Sequence, residues 1–269
     1  MIDLSIILLV WRDRAFLHAC LASIARARGL ALEIVLVENG IALDEYEYAL
    51  PENARAISIV KIHNAKNRGV APARNQGLQN ARGRYLMLLD VDTLVTQGAL
   101  ENLVRFMDEN ARVGLAGPRL QDANGQLQLT CRKLPTVWSK LLRRIPTRWA
   151  HDALADEMLL TYDHRTPRVV DYVIGACQII RRAAYEQVGA LDAQFFYGPE
   201  DVDYCMRMWQ HGWQVMYVPS AVVTHTEQRV TKQRVFSKLS LVHAWGLARF
   251  FFKHKYLFTR PRLSEAARV

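Results

Sequence analysis

The sequence predicts an α/β fold, a mostly parallel central sheet flanked by helices, with a C-terminal amphipathic helical tail. Three observations carry that reading. Leu4–Val10 and residues 85–89 are continuous apolar runs, the pattern of strands covered on both faces. Segments with apolar residues at helical spacing alternate with such runs as far as Gly117. Polar residues stand just beyond successive strands, where ligands gather in sheets of this kind.

Leu4–Val10 opens the sheet. Asp13 is placed to cap a helix whose Phe16, Leu17, Cys20, Leu21 and Ile24 recur at helical spacing, and Gly29 ends it. Strands are expected at 33–37 and 56–62, a helix over 70–81, and then the strand 85–89. Leu100, Leu103, Val104 and Met107 mark a further amphipathic helix ahead of a short strand at 113–117. Four polar sites fall at the strand ends: Trp11-Arg12, Glu38-Asn39, Asn64 to Asn67, and Asp90 to Asp92. Their convergence makes residues 1–120 read as a nucleotide-binding half. The remainder is less regular, with strands at 127–132, 169–180 and 215–218, a turn at Pro219-Ser220, and a helix beginning near Glu200. No linker separates the halves, so residues 1–228 read as one domain, followed by the tail 229–269. Disorder is expected only from about Arg260 onward.

Composition narrows the classes. With 269 residues the chain can bury a substantial core. Its apolar runs are too short to cross a bilayer, and its start lacks the features of a signal peptide. Cys20, Cys131, Cys177 and Cys205 lie far apart, without zinc-type spacing, and read as reduced cytosolic thiols. The net charge of +9 calls for an anionic partner: nucleic acid, an acidic membrane surface, or phosphorylated ligands.

Two acidic clusters carry the chemistry. Asp90 and Asp92 leave a buried strand two residues apart, on one side of the chain. Such a pair suits a hard divalent cation shared with phosphate oxygens. The plainer alternative is a strand-end turn with Asp capping the next helix. The second cluster is Glu200-Asp201-Val202-Asp203, approached through Phe195, Phe196 and Tyr197. Acids stabilise helix N-termini, but one would suffice. Three behind desolvating aromatics point to a general base tuned toward neutral pH. His225 alone is more often structural, although imidazole is a fitting ligand for manganese beside carboxylates.

Taken in order, these segments resemble the family 2 glycosyltransferases of GT-A fold (the nucleotide-diphospho-sugar transferase fold), and among them the rhamnosyltransferase-like branch. The resemblance runs from Ser5 to His225. It comprises the opening strand and loop, Val35-Leu36-Val37-Glu38-Asn39-Gly40, Asn67-Arg68-Gly69, and Ala73-Arg74-Asn75-Gln76-Gly77. Leu88-Leu89-Asp90-Val91-Asp92, Val173-Ile174-Gly175-Ala176, Glu200-Asp201-Val202-Asp203 with Arg207, and Gly212-Trp213 through His225 complete it.

The resemblance implies roles. Trp11 and Glu38 line the base pocket, Arg74 contacts the nucleotide, and Val10, Asn67, Val91 and Gly175 belong to the donor site. Asp90 bonds ribose or metal, Asp92 ligates Mg2+ or Mn2+, and His225 adds a metal or diphosphate contact. Asp201 is the catalytic base, with Glu200 orienting the acceptor, and residues 121–228 become the acceptor-binding half. Implied too are inverting transfer from dTDP-rhamnose or a UDP-sugar and a glycan or lipid-linked saccharide acceptor in cell-surface polysaccharide synthesis. Two departures fall in the base pocket: the family usually has Tyr-Asn where this chain has Trp11-Arg12, and Asp where it has Glu38.

The tail leaves two readings open. Phe236, Leu239, Val242, Leu247, Phe250 and Phe251 share a helix with Arg234, Lys238, Arg249, Lys253 and Lys255. A cationic helix with an aromatic face suits an anionic membrane through 229–258, which would place the protein peripherally on the cytoplasmic face of the inner membrane. Alternatively, the stripe packs on the domain or in a homodimer while the basic residues are solvated. The basic segment 132–148, with Trp138 and Leu141-Leu142, is either an acceptor-side loop or an exposed connection. Two rivals to the glycosyltransferase reading, one within enzymes and one outside them, lack their expected features. A nucleotidyltransferase should show a Gly-rich basic loop after its first strand, and Val10 to Arg14 contains no glycine. A nucleic-acid-binding protein lacks any recognisable motif here, and strand-end acids oppose phosphate, so no nucleic-acid partner is expected.

Overall fold

In the computed structural model, residues 1–51, 54, 56–143, 145, 147–226 and 237–263 are described. The first half follows the expected alternation: β1 (Leu4–Val10), α1 (Arg14–Ile24), β2 (Leu32–Asn39), β3 (Ser58–Asn64), α2 (Val70–Asn80) and β4 (Tyr85–Asp90). A three-residue strand, β5 (Thr93–Val95), precedes α3 (Ala99–Glu109) and β6 (Val113–Gln121). The second half contains β7 (Leu127–Gln128), β8 (Cys131–Arg132), α4 (Val137–Leu142), α5 (Arg148–Ala153), β9 (Arg168–Val169), β10 (Tyr172–Val173) and β11 (Cys177–Arg181). It closes with α6 (Arg182–Val188), α7 (Glu200–Gln210), β12 (Gln214–His225) and α8 (Lys238–His254).

The main sheet runs β3-β2-β1-β4-β11-β6-β12-β5. Its first four strands are parallel, and beyond them it is mixed, because β11 lies antiparallel between β4 and β6. The register aligns the strand ends: Val10 lies beside Glu38, and Leu9 beside Asp90. Helices on both faces bury two apolar layers, one holding Leu4, Ile6 and Leu8 and the other Ile7, Val35 and Val37. Ser5 and Glu33, polar residues within that core, satisfy each other at 2.5 Å.

Three expectations need correction. The strand expected over 127–132 is two short strands, β7 pairing with β6 and β8 with β10 in a separate two-stranded sheet. The single run over 169–180 is likewise β9, β10 and the start of β11, each with a different neighbour. An apolar run reports burial and does not reveal which strand it faces. The strand at 215–218 does not end in a turn at Pro219-Ser220. It continues through an irregular register between Val218 and Val222, then pairs with the far end of β6 to reach His225. Proline cannot donate to a ladder, so it interrupts the pairing without ending the strand.

The helical tail joins the core. Phe250, Phe251 and Tyr256 pack with the residues that cover α7. Lys253 and His254 reach the fully buried Asp203 at 2.7 and 2.8 Å, and Arg249 and Lys253 approach Asp192. The basic residues of α8 therefore include internal partners and are not merely solvated. Arg234 and Phe236 lie outside the described residues. Arg260 is tied down as well, donating to Leu134 O and pairing with Asp156 and Glu157. All four cysteines are buried free thiols.

Candidate active site

The strand ends meet at one cavity of about 470 Å³. Trp11, Arg74, Asp90, Val91, Asp92, Gly175, Glu200, Asp201 and His225, expected from sequence, all line it. Topology explains the convergence. Asp90 ends β4, and its amide donates to Ala176 O, just ahead of β11, which returns antiparallel beside it. Immediately after Asp92, β5 pairs with the end of β12, matching Thr93 with His225. This pairing draws a histidine more than a hundred residues away in sequence to the acidic turn.

Asp90, Asp92 and His225 each offer a ligand atom within 4.8 Å of the others. His225 Nδ1 sits 2.9 Å from the amide oxygen of Gln128, so that nitrogen carries the proton and donates. The lone pair of Nε2 then faces Asp92 Oδ1, 3.6 Å away. Two carboxylates and an imidazole lone pair converging on one point repel one another unless a cation lies between them. This donor set therefore fits a divalent metal, with Gln128 fixing the tautomer from behind as outer-shell partners of metal-bound histidines do. Gln128 carried no signal in the sequence.

Arg74 links this cluster to the second one. Only 4% exposed, it donates to Asp90 Oδ1 at 2.5 Å and to Gly175 O at 2.9 Å, and lies 3.5 Å from Glu200. Burial works against its charge, but Asp90, Glu200 and Asp201 outweigh it and raise its pKa. Gly175 in turn donates its N–H to Asp201 Oδ2 at 2.9 Å, while Asp201 Oδ1 accepts from Val202 N at 2.8 Å. The base candidate is thus oriented by two backbone amides. A side chain at 175 would press on both Arg74 and Asp201.

Glu200 and Asp203 take different parts from Asp201. Burial and the adjacent Asp201 charge push the Glu200 carboxyl up, with Arg74 opposing. Its buried Oε2 has no hydrogen-bond partner among the described residues. Asp203 points away, to Arg207 at 3.0 Å and to α8. The third acid of the cluster is therefore a structural clasp. Through it α8 buttresses the loop before α7, where Gly246 packs against Gly198 so closely that any side chain would collide with the Gly198 carbonyl.

Three residues expected at the donor site do not line the cavity. Val10 is fully buried in the core. Glu38 accepts from Leu43 N and pairs with His63 and Lys61, at 2.9, 2.7 and 3.2 Å. Burial opposes its charge, yet these partners hold its carboxyl below the usual range. Asn67 accepts from Asn39 Nδ2 and Gly69 N, both at 2.8 Å, ordering the loop into α2. For Glu38 the reason is strand order: β2 lies one strand farther from Asp90 than β1 does. Conversely, Arg132, Lys140, Arg143, Tyr172 and His243 line the cavity without having been singled out as site residues.

The family described as Glycosyl transferase family 2 matches residues 5–189, and one described as Glycosyltransferase (GlcNAc) matches residues 152–264. The N-acetylglucosaminyl-diphospho-decaprenol L-rhamnosyltransferase of Mycobacterium tuberculosis (strain CDC 1551 / Oshkosh) is 26% identical over 181 residues, 67% of this chain and 56% of that protein. The minor teichoic acid biosynthesis protein GgaB of Bacillus subtilis (strain 168) is 32% identical over 116 residues, 40% of this chain and 12% of that protein. The chain thus spans about half the length of the mycobacterial relative. Among solved structures, the mannosyltransferase PcManGT from Pyrobaculum calidifontis in complex with GDP-Man and Mn2+ superposes with a TM-score of 0.64 at 16% identity. That match covers 98% of this chain and 66% of the other, and it is a likeness of fold.

Proposed function

The chain belongs to glycosyl transferase family 2, and from that premise we propose that it is an inverting glycosyltransferase acting in cell-surface polysaccharide synthesis. It transfers a sugar from a nucleoside-diphosphate donor to a hydroxyl of a glycan or lipid-linked saccharide. The observation that carries this reading is one cavity holding a metal-type cluster, Asp90, Asp92 and His225, and an amide-oriented carboxylate, Asp201. The rhamnosyl relative makes dTDP-rhamnose the first donor to test, with UDP-sugars next.

Asp92, His225 and Asp90 are the residues that would hold the cation, and an imidazole among the ligands favours Mn2+ over Mg2+. A divalent cation there would neutralise charge on the departing diphosphate, so the protein needs no acid to protonate it. Asp201 takes the proton of the acceptor hydroxyl as its oxygen attacks the anomeric carbon from the face opposite the diphosphate. The free Oε2 of Glu200 accepts a second hydroxyl and fixes the acceptor's approach. Trp11 supplies a flat wall for the base, its ring backed by Arg12 at 4.1 Å. Glu38 and Asn67 shape the same end by holding the loops behind it.

Nucleotide sugars screened by thermal shift with Mn2+ or Mg2+ test this reading. A true donor at about a hundred times its Kd adds ~2.7 kcal/mol, which raises Tm by roughly 5–10 °C in a domain of this size. A screen in which no nucleotide sugar shifts the melt would overturn it.

No helix among the described residues is long and apolar enough to cross a membrane. We place the protein peripherally on the cytoplasmic face, through an outward stripe of α8. Leu241, Trp245 and Phe252 share one helical face and are 68%, 75% and 87% exposed. The chain's net charge of +9 suits an anionic surface. Trp245→Ser with Phe252→Ser should abolish sedimentation with anionic vesicles. Unchanged sedimentation would discard the stripe, and a dimer broken by the same change would assign it to a second copy.

A further inference from the structure

The cavity also presents basic side chains that the reading above does not use. Arg132, Lys140 and Arg143 line it together with Tyr172 and the carboxylates. Arg143 pairs with Glu157, but its buried Nε–H has no acceptor among the described residues. Arg132 spends its Nε on Leu129 O at 2.8 Å, leaving the rest of its guanidinium. Neither Arg132 nor Lys140 has a carboxylate within ion-pair distance among the described residues; the nearest acids acting on Lys140 are Glu157 and Asp201. Burial, reinforced by Arg143, pushes the Lys140 pKa down to about 7. Two guanidiniums and an amine that a bound anion would keep protonated, with Glu157 as their one ion-pair partner among the described residues, form a group suited to an anion.

We infer that Arg132, Lys140 and Arg143 form an anion site that holds a phosphate or diphosphate carried by the acceptor. The inference rests on the transferase reading above and names its acceptor class. The donor's diphosphate is assigned to the metal cluster, built by Asp90, Asp92 and His225 on other elements. Asp201 lines the same cavity and its charge acts on Lys140, so a phosphate held here would share the cavity that receives the attacking hydroxyl. The outer face of the same short helix is apolar: Trp138 and Leu141 are more than half exposed, and Phe258 lies beside Trp138 along a neighbouring groove. A phosphate seated on Lys140 could therefore trail a hydrocarbon chain over that surface.

The test is calorimetric titration of the full chain in excess EDTA, with inorganic pyrophosphate and with geranyl diphosphate. The wild type should bind both, and Lys140→Gln and Arg132→Gln should each weaken binding about tenfold or more, the value of a charged hydrogen bond. Tighter binding of geranyl diphosphate assigns a lipid-linked acceptor. Equal binding of the two assigns a water-soluble phosphate, and either result supports the site. No binding by the wild type, or binding unchanged in both variants, overturns it. So does binding that requires Mn2+ and is lost in Asp92→Ala, which would assign the anion to the donor end. Melting curves and Mn2+-dependent nucleotide-sugar binding on the same proteins separate the outcomes. Misfolding removes both ligands, and failure of the transferase reading removes only the nucleotide sugar.

Discussion

Asp201→Asn will lower sugar transfer by about 10²–10⁴-fold, the usual contribution of a positioned general base, while donor binding survives. The substitution keeps the shape of the side chain and an oxygen for the Gly175 or Val202 amide, both of which now hold the carboxylate. What it removes is the ability to take a proton. Because Asp201 lies outside the metal-type cluster, calorimetry with donor and Mn2+ should give the wild-type affinity. The loss should fall on kcat and on kcat/KM alike, as for an interaction made in the transition state. Glu200, held 3.5 Å from Arg74, is assigned to a second hydroxyl of the acceptor and not to the attacking oxygen. Turnover near the wild-type rate would remove Asp201 from the mechanism and leave the donor site standing.

Donor affinity will collapse when the cation is taken away. Excess EDTA, or Asp92→Ala with metal present, should weaken nucleotide-sugar binding by more than about 10–100-fold, the loss that follows removal of even an outer-shell partner of a metal ligand. The physical basis is the convergence of two carboxylates and the Nε2 lone pair of His225. Without a cation, the anionic diphosphate would meet two carboxylates there, of which Arg74 pairs with Asp90. Gln128→Leu should give a smaller loss of the same sign, because the imidazole would no longer be fixed with its proton on Nδ1. Equal affinity with metal, with EDTA and in Asp92→Ala would show that the diphosphate binds without a metal bridge.

Much of the donor half was legible from residue order. Apolar runs fixed β1 and β4, helical spacing fixed α1 and α3, and the polar residues beyond each strand marked the edge where the cavity lies. The second half was harder, because its short strands pair with partners far away in sequence. Periodicity reports how a segment is buried, not what it is buried against. That is why the runs over 127–132 and 169–180 were each read as one strand, and why His225 looked isolated until β12 was seen to pair with β5.

Asp203 shows the same limit. Its position in an acidic cluster suggested chemistry, yet the packing of α8 against α7 makes it an anchor. Lys140 shows the converse, a residue of a nondescript basic loop placed inside the cavity. By itself the sequence determined the fold class, the cavity-bearing edge of the sheet and the candidates Asp90, Asp92 and Asp201, which the fold brings to one cavity. Those properties follow from local pattern and from strand ends that chain order dictates. Only the tertiary structure decided which charges share a space: Gln128 behind His225, Arg74 between the two acidic clusters, Glu38 one strand away, and three basic side chains lining the cavity that holds Asp201. Electrostatic coupling depends on distance and burial, and neither is written along the chain.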